Sequence, residues 1–181
     1  APLIISSALD LGIKILYDDP NSVGADRICN AVAGFALFGG PLIIIDFGTA
    51  TTYDAVSSTG DYIGGVIAPG METSAVDLHR RAAKLPKVEL HFPKTIIGKD
   101  TVSSMQAGIL YGAIDALEGM VKRIQGEMRK REGKEAIVVA TGGFSRLMAS
   151  HSKSITECVP SLVLDGVRLI HERVSKKSRR R

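Results

Sequence analysis

The stretch Leu42-Ile43-Ile44-Ile45-Asp46-Phe47-Gly48-Thr49-Ala50-Thr51-Thr52-Tyr53-Asp54 constrains this chain more than any other part of it. The apolar run from Leu42 to Ile45 reads as a buried strand. It ends on a carboxylate, turns through Gly48 into three threonines, and is followed at once by a second strand, expected over 53–57. The result is a β-hairpin whose turn carries an acid, a glycine and hydroxyls. Glycine lets the backbone approach an anion closely. Amides and hydroxyls at such a turn can bind phosphate oxygens, and Asp46 can hold a cation. The plainer reading of the same residues is a hairpin turn capped by Asp46.

The chain has 181 residues, which suggests one to two domains, and 45% of them are hydrophobic, enough for a sizeable core. The formal charge of +4 owes five positives to Lys176, Lys177, Arg179, Arg180 and Arg181, without which the remainder stands at −1. Nucleic acid is therefore not expected as a partner. The basic tail over 175–181 is expected to be a disordered, solvated end. Cys29 and Cys158 lie far apart and form no Cys-x-x-Cys pair, so neither a zinc site nor a redox motif is indicated. The histidines His79, His91, His151 and His171 have no metal-ligand spacing. No apolar run approaches the roughly 18 residues that span a membrane. The expected setting is cytoplasmic, with no membrane partner.

Along the chain, residues 3–6 and 13–17 read as short strands, and Asp18-Asp19-Pro20-Asn21 as a turn. Residues 24–38 read as a helix stopped by Gly39-Gly40-Pro41. Three consecutive strands are expected between Leu42 and Ala68, with Ser58-Thr59-Gly60-Asp61 as the second turn. A helix over 70–84 and an irregular stretch over 85–100 follow. A long helix is expected from Thr101 to about Arg131, on the three- and four-residue recurrence of Met105, Ile109, Leu117, Val121 and Ile124. Residues 136–141 read as a buried strand ending on Gly142-Gly143, residues 155–159 as an edge strand, and residues 161–174 as a final helix.

Asp26 is the best general-base candidate. It stands beside a glycine at a helix start, next to Arg27, whose charge is expected to keep it ionised. It could equally be an ordinary acid favoured by the helix dipole. Arg27 can make a two-pronged contact to a carboxylate. Tyr17 could be a half-buried strand aromatic and Thr101 a helix N-cap. Asp54 has no assignable direction and receives no role.

Read together, Gly24-Ala25-Asp26-Arg27, Asp46-Phe47-Gly48-Thr49-Ala50-Thr51-Thr52, Gly64-Gly65-Val66-Ile67-Ala68-Pro69-Gly70, Gly98-Lys99-Asp100-Thr101 and Ala140-Thr141-Gly142-Gly143 resemble the type III pantothenate kinases, from about Tyr17 to about Arg173. The resemblance implies an α/β, ribonuclease-H-like (actin-like ATPase) fold: a mixed sheet with a three-strand meander flanked by helices. It divides the chain into the end of a first half with the substrate-binding turn and helix (1–41), a second half (42–174) and the tail. It also implies ATP-dependent phosphorylation of pantothenate, the first step of coenzyme A synthesis. Asp26 then falls on the catalytic position. Tyr17, Gly24, Ala25, Asp26, Arg27 and Thr101 fall on substrate-binding positions. Gly48, Thr49, Gly142 and Gly143 fall on the nucleotide side, and Asp46 on the ligand of a monovalent cation, K⁺ or NH₄⁺. ATP with Mg²⁺ and a homodimer follow from the same resemblance. The family's first phosphate hairpin, Asp-x-Gly-Asn-Thr, has no counterpart in this sequence, so the 181-residue chain alone is expected to transfer phosphate poorly. The alternative is a catalytically inactive or truncated homologue that acts as a binding or transcription accessory protein.

Overall fold

The computed structural model describes residues 2–178, with side chains to residue 176. Five strands form one mixed sheet: β1 (Leu42–Phe47), β2 (Ala50–Val56), β3 (Tyr62–Pro69), β4 (Ile137–Thr141) and β5 (Glu157–Cys158), in the order β3-β2-β1-β4-β5. β1 and β2 are antiparallel with Asp46 opposite Thr52 and Ile44 opposite Asp54. β2 and β3 are also antiparallel, and β4 runs parallel to β1 and to β5. The three-strand meander therefore joins a short parallel section.

Helices cover both faces. On one lie α1 (Ala25–Phe38) and α5 (Leu162–Ser178), packed on each other around Ile28, Ala31, Leu162 and Ile170. Their closest approach is set by Gly166, where a Cβ would come within 2.1 Å of the Cys29 carbonyl oxygen. On the other face lie α2 (Met71–Arg81) and α3 (Thr101–Glu132), over Ile43, Ile45, Phe47 and Tyr53. A short helix, α4 (Ser145–Ala149), follows β4. The alternating sides of β1 feed the two cores: Leu42 and Ile44 belong to the α1/α5 side, Ile43, Ile45 and Phe47 to the α2/α3 side.

The structure corrects several boundaries. β2 begins at Ala50, three residues before the expected start, so Thr51 and Thr52 are strand residues and only Gly48 and Thr49 form the turn. Residues 3–6 carry no strand, because among the described residues no neighbour supplies a ladder for their backbone groups. Residues 13–17 contribute a single parallel bridge, Ile15 to Tyr62. The turn at Asp19 tightens into a 3₁₀ helix over Pro20–Ser22, capped by the Asp19 carboxylate. Asp100, not Thr101, caps α3, in a reciprocal capping box with Ser103. α5 runs on to Ser178, four residues beyond its expected end at 174. The part of the expected disordered tail over 179–181 lies outside the described residues.

Candidate active site

Chain direction gathers the candidate residues at one edge of the sheet. β1, β3 and β4 all end there, β2 begins there, and α1 returns antiparallel to β1, so its N-terminus reaches the same edge. In open α/β sheets the carboxyl ends of the strands form the usual ligand crevice. Asp46 closes β1, the Gly48-Thr49 turn follows, Gly142-Gly143 closes β4, and Asp26 stands in the first turn of α1. Gly48, Thr49, Gly143 and Asp26 are exposed, while Asp46 and Gly142 are half-buried.

The two turns are pressed together. Gly142 has φ +87°, and a Cβ there would meet Asp46 Oδ1 at 2.4 Å and the Phe47 carbonyl oxygen at 2.7 Å. Only glycine permits this approach. The Gly142 carbonyl is held in turn by the Ser145 hydroxyl at 2.7 Å. On the other side the Thr49 carbonyl accepts from Gly70 N at 3.0 Å and from Thr73 Oγ1 at 2.6 Å, which fixes the hairpin tip against the start of α2. Gly48, Thr49 and Gly143 are thus left exposed at the two turns.

Asp46 Oδ2 accepts from Asn30 Nδ2 at 2.8 Å. Burial raises the Asp46 carboxyl above its ordinary range; the Asn30 hydrogen bond opposes this, and the negative charge of Asp26 adds to it. Asp26 and Asp46 are thus close enough to sense each other. Asn30 is fully buried, and its Oδ1 has no partner among the described residues. No group of three or more His, Cys, Asp or Glu side chains that could hold a metal ion occurs among the described residues. Sequence reading missed Asn30, although its spacing from Asp26, one helical turn, is legible once α1 is known to run antiparallel to β1.

Arg27 departs from expectation. Its backbone N–H donates to Asp26 Oδ1 at 2.8 Å, but its guanidinium turns into the protein. There Nε donates to Asp54 Oδ1 at 2.7 Å and Nη2 lies 2.7 Å from the same oxygen. Asp54 is fully buried and also accepts from the Tyr62 hydroxyl at 2.8 Å and from the Thr52 hydroxyl at 3.3 Å. Burial pushes the Asp54 carboxyl up to about 6, against the pull of the Arg27 charge and of these donors. Burial also works against the Arg27 charge, yet Asp54 outweighs it and the guanidinium is held more firmly protonated than usual. The charge that sequence reading offered to Asp26 therefore belongs mainly to Asp54, the acid that sequence reading left without a role. The Tyr62 ring lies under the guanidinium at 5.7 Å, and Tyr17 packs on Tyr62 with ring centroids 6.2 Å apart. Tyr17 thus reaches Arg27 through Tyr62, while Gly24, Ala25 and Asp26 are exposed at the start of α1.

Thr101 does not join it. It is exposed at the start of α3, on the opposite face of the sheet from α1. That face carries a cavity of about 410 Å³ lined by Phe47, Tyr53, Leu78, Met105 and Ile109 among others, with no charged side chain in its wall. The other candidate residues lie at the carboxyl edge and on the α1 face instead. Cys29 is buried, which pushes its thiol up to about 11 and leaves it unreactive. His151 stacks on Phe92 at 3.6 Å.

The type III pantothenate kinase model matches residues 1–123. The chain belongs to the type III pantothenate kinase family. It is 50% identical over 172 residues to a type III pantothenate kinase of Moorella thermoacetica, covering 95% of this chain and 66% of that protein. It is 49% identical over 172 residues to that of Bacillus cytotoxicus, covering 95% and 64%. The chain thus spans just under two thirds of the length of these curated relatives. A solved structure from Campylobacter jejuni, described as a Baf family transcriptional activator, has the same fold at a TM-score of 0.58 with 18% identity, over 84% of this chain and 65% of that one. No described helix is long and apolar enough to cross a membrane.

Proposed function

We propose that this chain serves the phosphorylation of the primary hydroxyl of pantothenate from ATP. The observation that carries the reading is the convergence of Asp26 and Asp46 with the Gly48-Thr49 and Gly142-Gly143 turns at one sheet edge, in a chain about half identical to proteins named type III pantothenate kinase. Phosphoryl transfer asks a protein for positioning, charge compensation and a proton acceptor rather than for covalent chemistry. Asp26, exposed in the first turn of α1, accepts the hydroxyl proton as the oxygen attacks. The Gly48-Thr49 and Gly142-Gly143 backbones hold the nucleotide, with Thr49 toward the phosphates. Asp46, steadied by Asn30, holds a monovalent cation, K⁺ or NH₄⁺. That ion and the Mg²⁺ that accompanies ATP supply positive charge where phosphate charge develops. Tyr17, Gly24, Ala25 and Arg27 border the acceptor.

The meander-plus-parallel sheet supports a ribonuclease-H-like assignment, with 42–174 as its second half and 1–41 as the end of the first. Both parts share a core here, since Leu11 and Val23 pack with Leu162 and Ile170. A homodimer completes the reading. Gly108, Gly112 and Gly119 have nothing within 4 Å of a would-be Cβ, so the outer face of α3 can admit another backbone closely. Thr101, remote from Asp26 within one chain, would then serve the neighbouring subunit's acceptor site. The test of the function is the intact protein incubated with ATP, Mg²⁺, K⁺ and pantothenate, with product identified by mass. Formation of 4′-phosphopantothenate supports the reading, and ATP consumption without it contradicts the reading. Sedimentation of the same protein with Gly112→Phe tests the dimer: the wild type is expected to be dimeric and the variant to dissociate.

A further inference from the structure

Strand pairing fixes the backbone of Asp46 and leaves its side chain to be set by something else. The residue sits opposite Thr52 on β2 and opposite Thr141 on β4, so its main chain is held from both sides. The last torsion of an aspartate side chain is broad and roughly two-fold. The two carboxylate oxygens have different surroundings. Oδ2 accepts from Asn30 Nδ2 at 2.8 Å. Oδ1 stands against the glycine turns, 2.4 Å from where a Cβ on Gly142 would lie and 3.7 Å from one on Gly48. Among the described residues, Asn30 is the only hydrogen-bond donor to this carboxylate.

Stability alone does not explain Asn30. It stands on α1 among Ile28, Cys29, Ala31 and Val32 and is fully buried, and its Oδ1 has no partner among the described residues. A buried acceptor without a donor is costly, whereas apolar groups of the same shape in place of such a pair avoid that cost. What the amide supplies is the bond to Asp46. Its support is rigid, since α1 packs on α5 with Gly166 against the Cys29 carbonyl. Asp26 stands on the same helix, one turn before Asn30. One helix thus carries both the exposed Asp26 and the grip on Asp46.

We propose that Asn30 is a positioning residue for phosphoryl transfer: its amide fixes the Asp46 carboxylate with Oδ1 toward the Gly48 and Gly142 turns, and so holds the nucleotide side of the site in register with Asp26. This rests on the proposed kinase function. Asn30 touches no substrate and acts only through Asp46. Hydrogen-bond partners behind a ligating carboxylate are typically worth about 10–100-fold in the affinity of the ion.

The experiment is a double-mutant cycle in the intact protein: wild type, Asn30→Ala, Asp46→Ala and the two combined. Asn30→Leu, which lacks the donor but fills the space, is a second variant. In Asn30→Ala the K⁺ concentration for half-maximal activation and the KM for ATP are expected to rise about tenfold or more, with the KM for pantothenate nearly unchanged. The K⁺ concentration that protects against thermal unfolding, a readout that needs no turnover, should rise by the same factor. In the Asp46→Ala background, Asn30→Ala should add nothing to the loss of kcat/KM. Wild-type K⁺ and ATP constants in a folded variant, or an equal loss in both backgrounds, overturn the proposal. Asn30→Leu decides the matter if Asn30→Ala does not fold. If the wild type transfers no phosphate, the proposed function fails and the positioning role is read from crystal structures of the wild type and the folded Asn30 variant. Asp46 Oδ1 beside Gly142 in the wild type and turned away in the variant sustains it, and an unmoved carboxylate overturns it.

Discussion

Strand β1 sends Ile43, Ile45 and Phe47 to one face of the sheet, and Leu42, Ile44 and Asp46 to the other. β2 repeats the division, with Tyr53 and Ala55 on the first face and Thr52, Asp54 and Val56 on the second. The α2/α3 face buries no charged side chain, and its buried polar groups are uncharged ones such as Thr51 and Gln106. The α1/α5 face is apolar only at its far end and becomes acidic toward the carboxyl edge, where Asp46 and Asp54 are met by Asn30 and Arg27. Each buried carboxylate there carries a desolvation cost visible in its raised pKa. A sheet meant only to fold would place branched aliphatics on both sides. The difference teaches that the first face provides stability and the second gives up part of it to seat charged and polar groups.

That division can be broken by substitution. The largest effect is expected from Asp26→Asn on the polar side. kcat should fall by about 10²–10⁴-fold, with melting close to that of the wild type, because Asp26 is exposed and its one recorded bond is to its neighbour's backbone N–H. A variant within a few-fold of wild-type turnover would reduce Asp26 to a helix-start acid.

Leu110→Ala is the counterpart on the apolar side. Leu110 is fully buried in the α3 core. Its truncation should cost about 2–5 kcal/mol of stability by chemical denaturation, with kinetic constants of the folded fraction unchanged. A selective loss of kcat would place chemistry on the wrong face.

How much of this was legible beforehand differs between the faces. The hairpin, α1, the long α3 and the Gly142-Gly143 turn could be read from periodicity and glycine placement, because those signals are local. Asp46 and Asp26 could be picked out as ends of elements. The partners of Arg27 could not, since Asp54 lies 27 residues away and its side follows only from the register of β1 with β2. Placing the strand start at Tyr53 instead of Ala50 left that register unset. Asn30 was hidden for the same reason, as its contact with Asp46 depends on how α1 returns over the sheet. Thr101 was readable as a helix start, but not as a residue on the opposite layer from Asp26.

A smaller effect is expected from Asp46→Ala. Activation by K⁺ or NH₄⁺ should disappear and activity should fall by roughly tenfold or more, the usual scale for losing a metal-site ligand or its support. Stability should fall by no more than about 1–3 kcal/mol, since the buried Asn30 amide loses its partner while the burial cost of the carboxylate is relieved. Survival of cation activation, measured by titrating K⁺ into a K⁺-free assay, would put the ion elsewhere.

The smallest effect is a pH slope. The Asp54 carboxyl stands at about 6 when folded, above its ordinary 3.8, so the folded state holds the proton more tightly. Its contribution is fully present below about pH 4 and is lost as pH rises through about 6, at up to about 1.4 kcal/mol per pH unit. Denaturation of wild type and Asp54→Asn between those limits should show the wild type losing stability relative to the variant as pH rises. Parallel curves would mean that Arg27, Tyr62 and Thr52 fully offset the burial.

The most direct test of the division is a crystal structure of the intact protein with pantothenate and a non-hydrolysable ATP analogue. The expected result has the primary hydroxyl of pantothenate within hydrogen-bond reach of the Asp26 carboxylate, about 2.6–3.2 Å. Its carboxylate should lie beside Tyr17 and Arg27, and the phosphates should lie over Gly48, Thr49 and Gly142. Density for either ligand in the apolar cavity between β2, α2 and α3, with Asp26 out of reach, would contradict it.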